Sequence, residues 1–557
     1  MTDLSHVDDY PEIPVSFRHS RDVLKTGGWR NMRPYLAERV SACTDRCPAA
    51  VPIPRYLHHL AEGRLAEAFA VFTLRNPFPG ITGRVCPRTC EAGCNRTDRE
   101  GAVSIRDIER YLGEATADLP HAAPATETGR RVAVVGSGPA GLSAAYYLRR
   151  SGHTVTVFES MPLPGGMLRY GIPEYRLPSR IVDHEVDRLE AMGVAFRTGV
   201  LLGGDLTLAN LEAEFDAVFV ATGAWQSRTM GIEGESLLES GLDFLVNSHL
   251  ACVRPPGEHC AIIGGGNTAI DVARMLRRLG AEATILYRRT EAEMPAITEE
   301  YRAAVEEGVR FEFLTLPRSI ARDGADLVVT VEQMRLGDPD ESGRRSPVPT
   351  GETSQQRFSA VYSAIGETAA LEPFPADMKG ADGWLEVGES GATKADRVFV
   401  GGDLVTGPAT VVEAIAWGRR TADAINERIG GGYPLPDWVS EEHEVVVGPS
   451  DINPATFPES EPRHGSHLPA SDRLAAGLAE EASTMEEADI LAEIERCYSC
   501  GYCNHCGTCF VFCPDVAIRW EEGPVFAYDY CKGCDICTTE CPGHVILTIK
   551  EGEAANG

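Results

Sequence analysis

The sequence contains little positive charge and no long hydrophobic run. Its 52 lysine and arginine residues stand against 82 aspartate and glutamate residues, which gives a formal net charge of -30. Proteins that bind nucleic acid need basic patches against the phosphate backbone, so this balance argues against such a partner. No apolar stretch approaches the roughly 18 residues that a membrane-spanning helix needs, so we expect no membrane span.

The N-terminus also lacks the features of a secretory signal peptide. Its first residues, MTDLSHVDDYPEIP, are acidic and contain neither a basic region nor an apolar core. We therefore expect a cytoplasmic protein, whose acidic surface serves solubility or steers the chain toward a basic partner. The 557 residues are too many for one hydrophobic core, which predicts roughly three or four domains.

Cysteine, in contrast, is abundant, and its distribution is uneven. Of 17 cysteines, five lie between residues 43 and 94 and ten between 497 and 541. Disulfides would be unusual in a chain without an export signal, so this clustering predicts metal sites. Only Cys252 and Cys260 stand apart, and we interpret both as structural thiols.

Two runs near the C-terminus repeat the C-x2-C-x2-C-x3-C-P spacing of bacterial ferredoxins. In that pattern the fourth cysteine of each run binds the cluster of the other run. Zinc also uses C-x2-C pairs, but it rarely takes a doubled triplet that ends in Cys-Pro. Cys497 and Cys500 precede the first run and are either inert thiols or ligands of something that the pattern does not predict. The runs predict one [4Fe-4S] cluster on Cys503, Cys506, Cys509 and Cys541, and another on Cys531, Cys534, Cys537 and Cys513.

The first glycine-rich segment, RRVAVVGSGPAGLSAAYYLRRSGHTVTVFES (130–160), predicts a strand, a glycine turn, a helix and a second strand. Gly136 makes the tight turn, Gly138 lets the backbone approach a pyrophosphate, and Gly141 allows close helix packing. Glu159 ends the second strand, where an acid accepts the adenosine ribose hydroxyl. These features together predict a dinucleotide-binding fold.

The same pattern returns in CAIIGGGNTAIDVARMLRRLGAEATILYRR (260–289). Gly264 and Gly266 stand at the first two glycine positions. The second strand ends in Arg288 and Arg289 instead of an acid, and an arginine there accommodates a 2′-phosphate. This favours NADP(H) over NAD(H), with a solvated arginine pair as the alternative.

A third segment, DRVFVGGDLVTGPATVVEAIAWGRRTADAI (396–425), predicts a strand, a Gly-Gly-Asp turn and an apolar helix that begins near Thr410. In flavoproteins with two dinucleotide folds, such an aspartate (Asp403) binds the flavin ribityl chain. The following helix N-terminus lies against the pyrimidine edge of the flavin. VFVATG (218–223) and VYSAIG (361–366) are similar to the turns where the chain crosses between two such domains. The first fold is therefore predicted to hold FAD and the second, inserted fold the nicotinamide nucleotide.

Taken together, these segments resemble the family of the glutamate synthase small subunit and its relatives, over roughly residues 30–430. PLPGGMLRYGIPEYRLP (162–178) is similar to the flavin-proximal segment of that family, and GGGNTAIDVAR with YRRTEAEMPA to its NADP site. NPFPGITGRVCPRTCEAGCNR (76–96) is similar to its N-terminal iron–sulfur domain. The resemblance implies further FAD contacts at Gly166, Arg176 and Gly402 and further nicotinamide-nucleotide contacts at Asn267 and Thr268.

The N-terminal cysteines depart from the family pattern. Relatives carry two [4Fe-4S] clusters there and use a C-x2-C pair that this chain lacks, so a second cluster would keep only Cys43 and Cys94. We therefore expect one N-terminal cluster and three clusters in all, although a ligand set that uses Cys43 or Cys94 remains open. Residue by residue, the resemblance implies a cluster on Cys47, Cys86, Cys90 and the carboxylate of Glu109.

The tail beyond the resemblance combines a strap rich in proline, acid and serine (430–469) with a helical stretch (473–497) and the ferredoxin module. This order resembles NAD(P)H-linked subunits that serve other iron–sulfur enzymes. We expect an electron-transfer oxidoreductase subunit of a hetero-oligomer in which FAD carries the chemistry, so no catalytic side chain is assigned. The expected partner is a thiamine-diphosphate 2-oxoacid oxidoreductase that reduces NAD(P)⁺. The alternative is an NAD(P)H-oxidising donor to a sulfite reductase or a glutamate synthase large subunit.

The predicted fold class is multidomain α/β, with a helical N-terminal iron–sulfur domain, two Rossmann-like domains and an α+β ferredoxin-like domain. The NAD(P) domain is inserted in the FAD domain. The predicted bounds are 1–125 for the iron–sulfur domain, 126–255 and 366–430 for the FAD domain, 256–365 for the NAD(P) domain, 431–490 for the linker and strap, and 491–557 for the ferredoxin domain.

Overall fold

The computed structural model describes residues 25–250, 257–340, 343–380, 384–436, 438–439, 445–521 and 523–553. Cys252 lies outside the described residues. Cys260 is buried in the middle of a sheet, as a structural thiol would be. No helix within the described ranges is long and apolar enough to cross a membrane.

The N-terminal segment after two short strands, Met32–Leu36 and Val40–Ser41, is helical. Its core includes the fully buried Tyr56, Phe72 and Ile108. The same apolar core continues into later parts of the chain, because Ile490 and Ile494 pack within it. The helices are Ala42–Arg46, Ile53–Ala61, Leu65–Thr73, Pro79–Val85, Thr89–Ala92 and Ile105–Ala115.

A parallel five-stranded sheet forms the first dinucleotide-binding fold, and its central strands are apolar because they are covered on both faces. Gly418 of the long helix lies against the glycine-turn helix, where an added Cβ would come within 2.2 Å of the Ala140 carbonyl oxygen. The strand order is Val398–Val400, Ala217–Val220, Arg131–Val135, Thr154–Phe158 and Ala195–Arg197. The helices are Pro139–Arg150, Met167–Tyr170, Ser179–Ala191, Leu208–Glu214, Asp403–Thr406 and Val411–Ile429.

A second parallel sheet forms the inserted fold, and an antiparallel three-stranded sheet follows it. The chain passes between the two folds beside a short antiparallel pair, Gln226–Ser227 and Glu367–Thr368. The parallel order is Arg310–Phe313, Glu282–Tyr287, His259–Ile263, Ala360–Ser363 and Glu239–Ser240. The helices are Gly241–Leu250, Asn267–Arg278 and Thr298–Glu306, and the antiparallel strands are Thr315–Asp323, Asp326–Pro339 and Arg345–Phe358.

The strap is not one helical stretch over 473–497. Gly477, with φ 61°, follows the helix Ala470–Ala476, and a second helix, Glu487–Glu495, begins later. The backbone needs a left-handed residue at this point, and glycine adopts that conformation without steric cost. The strap also pairs with the N-terminal segment, because Val446–Val447 runs parallel to Val40–Ser41.

The C-terminal module is built from short elements around its cysteines. Its last strand pairs antiparallel with the N-terminal strand Met32–Leu36, so the two ends of the chain share one ribbon. The Arg39 amide also donates to the Gly501 carbonyl oxygen at 2.9 Å. The module contains helices Thr508–Val511 and Ile536–Thr539 and strands Ile518–Trp520, Pro524–Phe526 and Ile546–Lys550.

Candidate functional site

A cavity of about 370 Å³ opens at the carboxyl end of the first parallel sheet. Gly136 makes the turn with φ 101°, and Gly138 is the residue before the helix Pro139–Arg150. A Cβ on Gly138 would meet no atom within 4 Å, so this glycine leaves open space at the helix N-terminus, where an anion is favoured. Seven of the predicted FAD residues line the cavity: Gly136, Gly138, Glu159, Gly166, Gly402, Asp403 and Thr410.

Two predicted FAD residues lie outside the cavity lining. Gly141 packs beneath the turn, where an added Cβ would come within 1.9 Å of the Gly136 carbonyl oxygen, as close helix packing requires. Arg176 points toward the inserted fold, and its Nη1 atom lies 2.8 Å from Oδ2 of Asp271 on the helix Asn267–Arg278. Arg176 therefore helps to join the two folds. The sequence around Arg176 does not reveal its ion pair with Asp271.

Glu159 is almost fully buried at the edge of this cavity, with 4% exposure. Its Oε2 atom accepts a hydrogen bond from the Ser137 amide at 2.9 Å, and Oε1 accepts one from the Met161 amide at 2.8 Å. The carboxylate thereby holds the glycine turn in place beside the position where a ribose would lie.

Asp403 and Thr410 lie on the opposite side of the cavity. Burial, together with the nearby Glu413 and Glu367 carboxylates, raises the pKa of Asp403 to about 7. Thr410 caps the helix Val411–Ile429: its hydroxyl accepts from the Glu413 amide at 3.3 Å, and Glu413 accepts from the Thr410 amide at 2.8 Å. This reciprocal pair begins the helix at the cavity, so the positive end of the helix dipole faces it.

The second glycine turn has the same construction as the first. Gly264 has φ 145°, and Gly266 precedes the helix Asn267–Arg278 with nothing within 4 Å of an added Cβ. Asn267 starts that helix, and its Oδ1 atom accepts a hydrogen bond from the Ile297 amide at 2.9 Å. Thr268 is beside Glu367 and hydrogen-bonds to its carboxyl group. These residues lie where the sequence predicts a nicotinamide nucleotide.

The two arginines after the last strand of this turn differ in environment. Arg289 is buried and lies with its Nη2 atom 2.6 Å from Oδ2 of Asp340. Arg288 is exposed, and burial of part of its side chain, with the neighbouring Arg289 charge, lowers its pKa. Of the two arginines, only Arg288 is therefore exposed and available to contact the 2′-phosphate of a bound nucleotide.

The four predicted N-terminal ligands gather in one buried region. Cys47 and Cys86 each end a helix, Cys90 lies in the helix Thr89–Ala92 and Glu109 in Ile105–Ala115. Burial raises the pKa of Glu109 to about 8, and burial together with the Glu109 charge raises the pKa of all three thiols, that of Cys47 to about 11. Three thiols and one carboxylate in this buried region form a donor set that suits the iron atoms of a cluster.

This region lies directly behind the flavin-side helix. Val411 and Ala414 of the helix Val411–Ile429 line the FAD cavity. Val412 and Ala416 of the same helix pack in the core that contains the N-terminal cysteines. The same helix therefore contributes both to the flavin-side cavity and to the core that contains the N-terminal cysteines.

The ferredoxin runs surround two small cavities of about 20 Å³ each. Within the described residues, no three His, Cys, Asp or Glu side chains gather closely enough to hold a single metal ion. The doubled spacing that ends in Cys-Pro favours iron–sulfur clusters over zinc at these cavities. The quartets are those that the exchange of fourth cysteines predicts: Cys503, Cys506, Cys509 and Cys541 around one cavity, and Cys513, Cys531, Cys534 and Cys537 around the other.

A third cavity of the same volume was not predicted. It is lined by Cys43 and Cys94 of the N-terminal region and by Cys497 and Cys500 of the C-terminal region. The sequence contained one signal of this arrangement: an unassigned C-x2-C pair stands before the ferredoxin runs, while the N-terminal region lacks such a pair.

Comparison with known proteins shows the family to which the chain belongs. The family "Pyridine nucleotide-disulphide oxidoreductase" matches residues 130–418, and "Dihydropyrimidine dehydrogenase domain II, 4Fe-4S cluster" matches residues 36–119. The beta subunit of the NADP(+)-dependent formate dehydrogenase of Moorella thermoacetica is 35% identical, over 82% of this chain and 70% of its own.

Two further relatives have related names. The beta subunit of the NADPH-Fe(3+) oxidoreductase of Geobacter sulfurreducens is 34% identical over 84% of this chain and 76% of its own. The small chain of glutamate synthase [NADPH] of Escherichia coli is 34% identical over 69% of this chain and 87% of its own. The two family matches extend across both glycine turns and the five N-terminal cysteines.

Proposed function

We propose that this chain connects NADP(H) to a separate catalytic subunit. The chain belongs to the pyridine nucleotide-disulphide oxidoreductase family. Within that family it is one of the FAD- and NAD(P)-dependent iron–sulfur oxidoreductases related to the glutamate synthase small subunit. Bound FAD exchanges a hydride with nicotinamide and single electrons with iron–sulfur clusters. The chain's own residues position these groups and exclude water from the space between them.

The helix Val411–Ile429 is the observation that carries this proposal. Its first turn lines the flavin cavity, and its inner face packs against the core around Cys47, Cys86 and Cys90. The flavin site and the N-terminal cluster site thus lie on two sides of one rigid element. A flavin reductase that acted on a small substrate would have no use for a buried thiol cluster at this position.

The ferredoxin module supplies the outward end of the proposed route. The quartet around the second cavity contains the exposed Cys534, whereas two thiols around the first cavity, Cys509 and Cys541, are buried, which favours the second cavity as the one nearer to solvent. The net charge of -30 favours a partner with a basic docking face, since opposite potentials accelerate encounter. We propose Cys531, Cys534, Cys537 and Cys513 as the quartet nearest to the partner.

Our first choice of partner is a thiamine-diphosphate 2-oxoacid oxidoreductase, whose electrons would reduce NADP⁺. The second candidate is NADPH-dependent delivery to a reductase such as a sulfite reductase or a glutamate synthase large subunit. The names of the Geobacter and Escherichia relatives, which contain NADPH, favour this second direction. The name of the Moorella relative contains NADP(+) and favours the first.

Affinity capture of the full chain from its native host at low ionic strength, followed by mass spectrometry, tests the partner. A thiamine-diphosphate enzyme in the eluate supports the first choice, and a sulfite reductase or a glutamate synthase large subunit supports the second. A parallel capture at about 1 M salt, where the screening length falls to about 3 Å, should lose a partner held by charge. Recovery of the chain alone under both conditions would contradict the proposed subunit role.

A further inference from the structure

We propose that Cys43, Cys94, Cys497 and Cys500 bind a fourth [4Fe-4S] cluster, which joins the N-terminal domain to the ferredoxin module. Two of these ligands come from each end of the chain, so the site exists only in the folded protein. The inference does not depend on which partner the chain serves.

The cavity between these thiols matches the two ferredoxin cavities. All three have a volume of about 20 Å³ and four cysteines in their lining. The remaining wall of this third cavity is mostly apolar and includes Ile53, Leu57, Val103 and Ile105. Four thiols therefore share one mostly apolar enclosure, as the ligands of a single cluster do.

The backbone of the Cys497–Cys500 loop has the conformation of the ferredoxin loops. In the segment Cys497–Cys500 and in the first C-x2-C segment of each ferredoxin run, the third residue is left-handed: Ser499 has φ 49°, His505 has φ 56° and Gly533 has φ 67°. A non-glycine residue rarely adopts this conformation, and such residues concentrate at functional sites. The loop before the first run is therefore shaped as a third ligand loop.

The thiols also receive hydrogen bonds of the kind seen in the ferredoxin module. The Ser499 amide donates to Cys497 Sγ at 3.4 Å, and the Asn95 side-chain amide donates to Cys500 Sγ at 3.4 Å. In the ferredoxin module, Val545 likewise donates its amide to Cys541 Sγ at 3.4 Å. Hydrogen bonds to ligand sulfur stabilise the added negative charge and tune the cluster potential.

A buried ionic network holds the C-terminal pair against the N-terminal domain. Arg496 Nη1 pairs with Glu493 Oε1 at 2.5 Å, and both side chains are at most 1% exposed. Arg496 also donates to the Gly101 and Ala102 carbonyl oxygens at 2.7 and 3.0 Å. The residue directly before Cys497 is thus fixed to the loop that follows Cys94, which gives the four thiols one defined arrangement.

The site lies between the other candidate clusters. Cys43 lies in the helix Ala42–Arg46 and Cys47 directly follows that helix, with its amide donating to the Cys43 carbonyl oxygen at 3.1 Å. Cys500 and Cys503 are three residues apart, so their Cα atoms are separated by at most about 11 Å. A cluster at this position connects the flavin-side cluster to the ferredoxin module through short steps.

The binding step requires no change of oxidation state. A preformed [4Fe-4S]²⁺ core exchanges its bonds to the thiolates of a cluster carrier for four Fe–Sγ bonds to these cysteines, and the four cysteine protons pass to the released carrier thiolates or to solvent.

The test is the ratio of iron and acid-labile sulfide to FAD in the full chain, purified without oxygen. Four clusters give about 16 iron atoms per FAD, and three give about 12. The double variant Cys497→Ser/Cys500→Ser should lose about a quarter of the iron and of the integrated spin after dithionite reduction. The double variant Cys43→Ser/Cys94→Ser should lose the same amount from the opposite side of the site.

The matched control is Cys260→Ala, which removes an equally buried thiol in the strand His259–Ile263 and should keep the wild-type iron content. FAD content and reduction of the flavin by NADPH report whether each variant folds. About 12 iron atoms per FAD in the wild type, or about one zinc atom per FAD, would overturn the proposal even if every variant failed to fold. Iron loss in only one of the two double variants would overturn it as well.

Discussion

Nη2 of Arg289 lies 2.6 Å from Oδ2 of Asp340, and Nε of the same arginine donates to the Arg345 carbonyl oxygen at 2.8 Å. Both contacts fasten the antiparallel sheet to the end of the strand Glu282–Tyr287. The sequence contains two adjacent arginines that could each contact a 2′-phosphate. In the structure, Arg289 instead holds the antiparallel sheet in place.

Arg288→Leu should therefore raise the KM for NADPH by about 10- to 100-fold, because a hydrogen bond to a charged group contributes about 1.5–3 kcal/mol. The KM for NADH should change little, since NADH has no 2′-phosphate. Steady-state reduction of an artificial acceptor with each coenzyme measures the effect. An equal rise for both coenzymes would contradict this role of Arg288.

Gly138→Ala and Gly141→Ala should separate FAD binding from folding. An added Cβ meets nothing within 4 Å at Gly138 but comes within 1.9 Å of the Gly136 carbonyl oxygen at Gly141. The first variant should fold with the stability of the FAD-free wild type and lose FAD, because its methyl group occupies the pyrophosphate approach. The second should itself be destabilised.

Flavin content after gel filtration and thermal unfolding of the FAD-free proteins measure the two effects. A Gly138→Ala protein that retains stoichiometric FAD would show that the pyrophosphate does not approach this turn.

Arg496→Met should loosen the C-terminal module, because it leaves the Glu493 carboxylate buried without its partner. Breaking one side of a buried ion pair costs about 3–5 kcal/mol. Limited proteolysis should then cut the strap earlier than in the wild type. Glu495→Gln on the exposed side of the same helix is the control and should leave the cleavage rate unchanged.

The additional substitution Glu493→Leu should restore part of the stability that Arg496→Met removes, since no unpaired charge is then buried. No recovery in the double variant would mean that the carbonyl contacts of Arg496, and not its charge, dominate.

The strap should also bind less firmly to the N-terminal helix Ile105–Ala115 as the pH rises through neutrality. The hydrogen bond between His464 Nδ1 and Asp107 Oδ2, at 3.4 Å, raises the pKa of His464. A raised histidine pKa contributes stability that is full below the ordinary value of 6.5 and is lost as pH rises through the folded-state value. The pair is half exposed, so we expect less than about 1 kcal/mol.

Hydrogen exchange of the strap between pH 6 and 8, compared in the wild type and in His464→Gln, measures this effect. The wild type should lose protection relative to the variant as the pH rises. A constant difference across the range would show that the pair does not stabilise the strap.

Features coded by short spacings were predictable from the sequence. Gly136 and Gly264 have positive φ, as tight turns require, and the ferredoxin spacing already implied which thiols share a cavity. Contacts between distant segments were not predictable in this way. Arg176 pairs with Asp271, a partner far along the chain. The expected strap helix ends before Gly477, where a single backbone dihedral interrupts it.

The sequence by itself determined the two dinucleotide turns, the family and the presence of iron–sulfur ligands, because each depends on residues that are neighbours along the chain. Only the tertiary structure decided that Cys43 and Cys94 face Cys497 and Cys500. That arrangement depends on strand pairing between the two ends of the chain and on a buried arginine network, and neither leaves a local pattern. Four ligands separated along the chain form one site only when folding brings their backbones together.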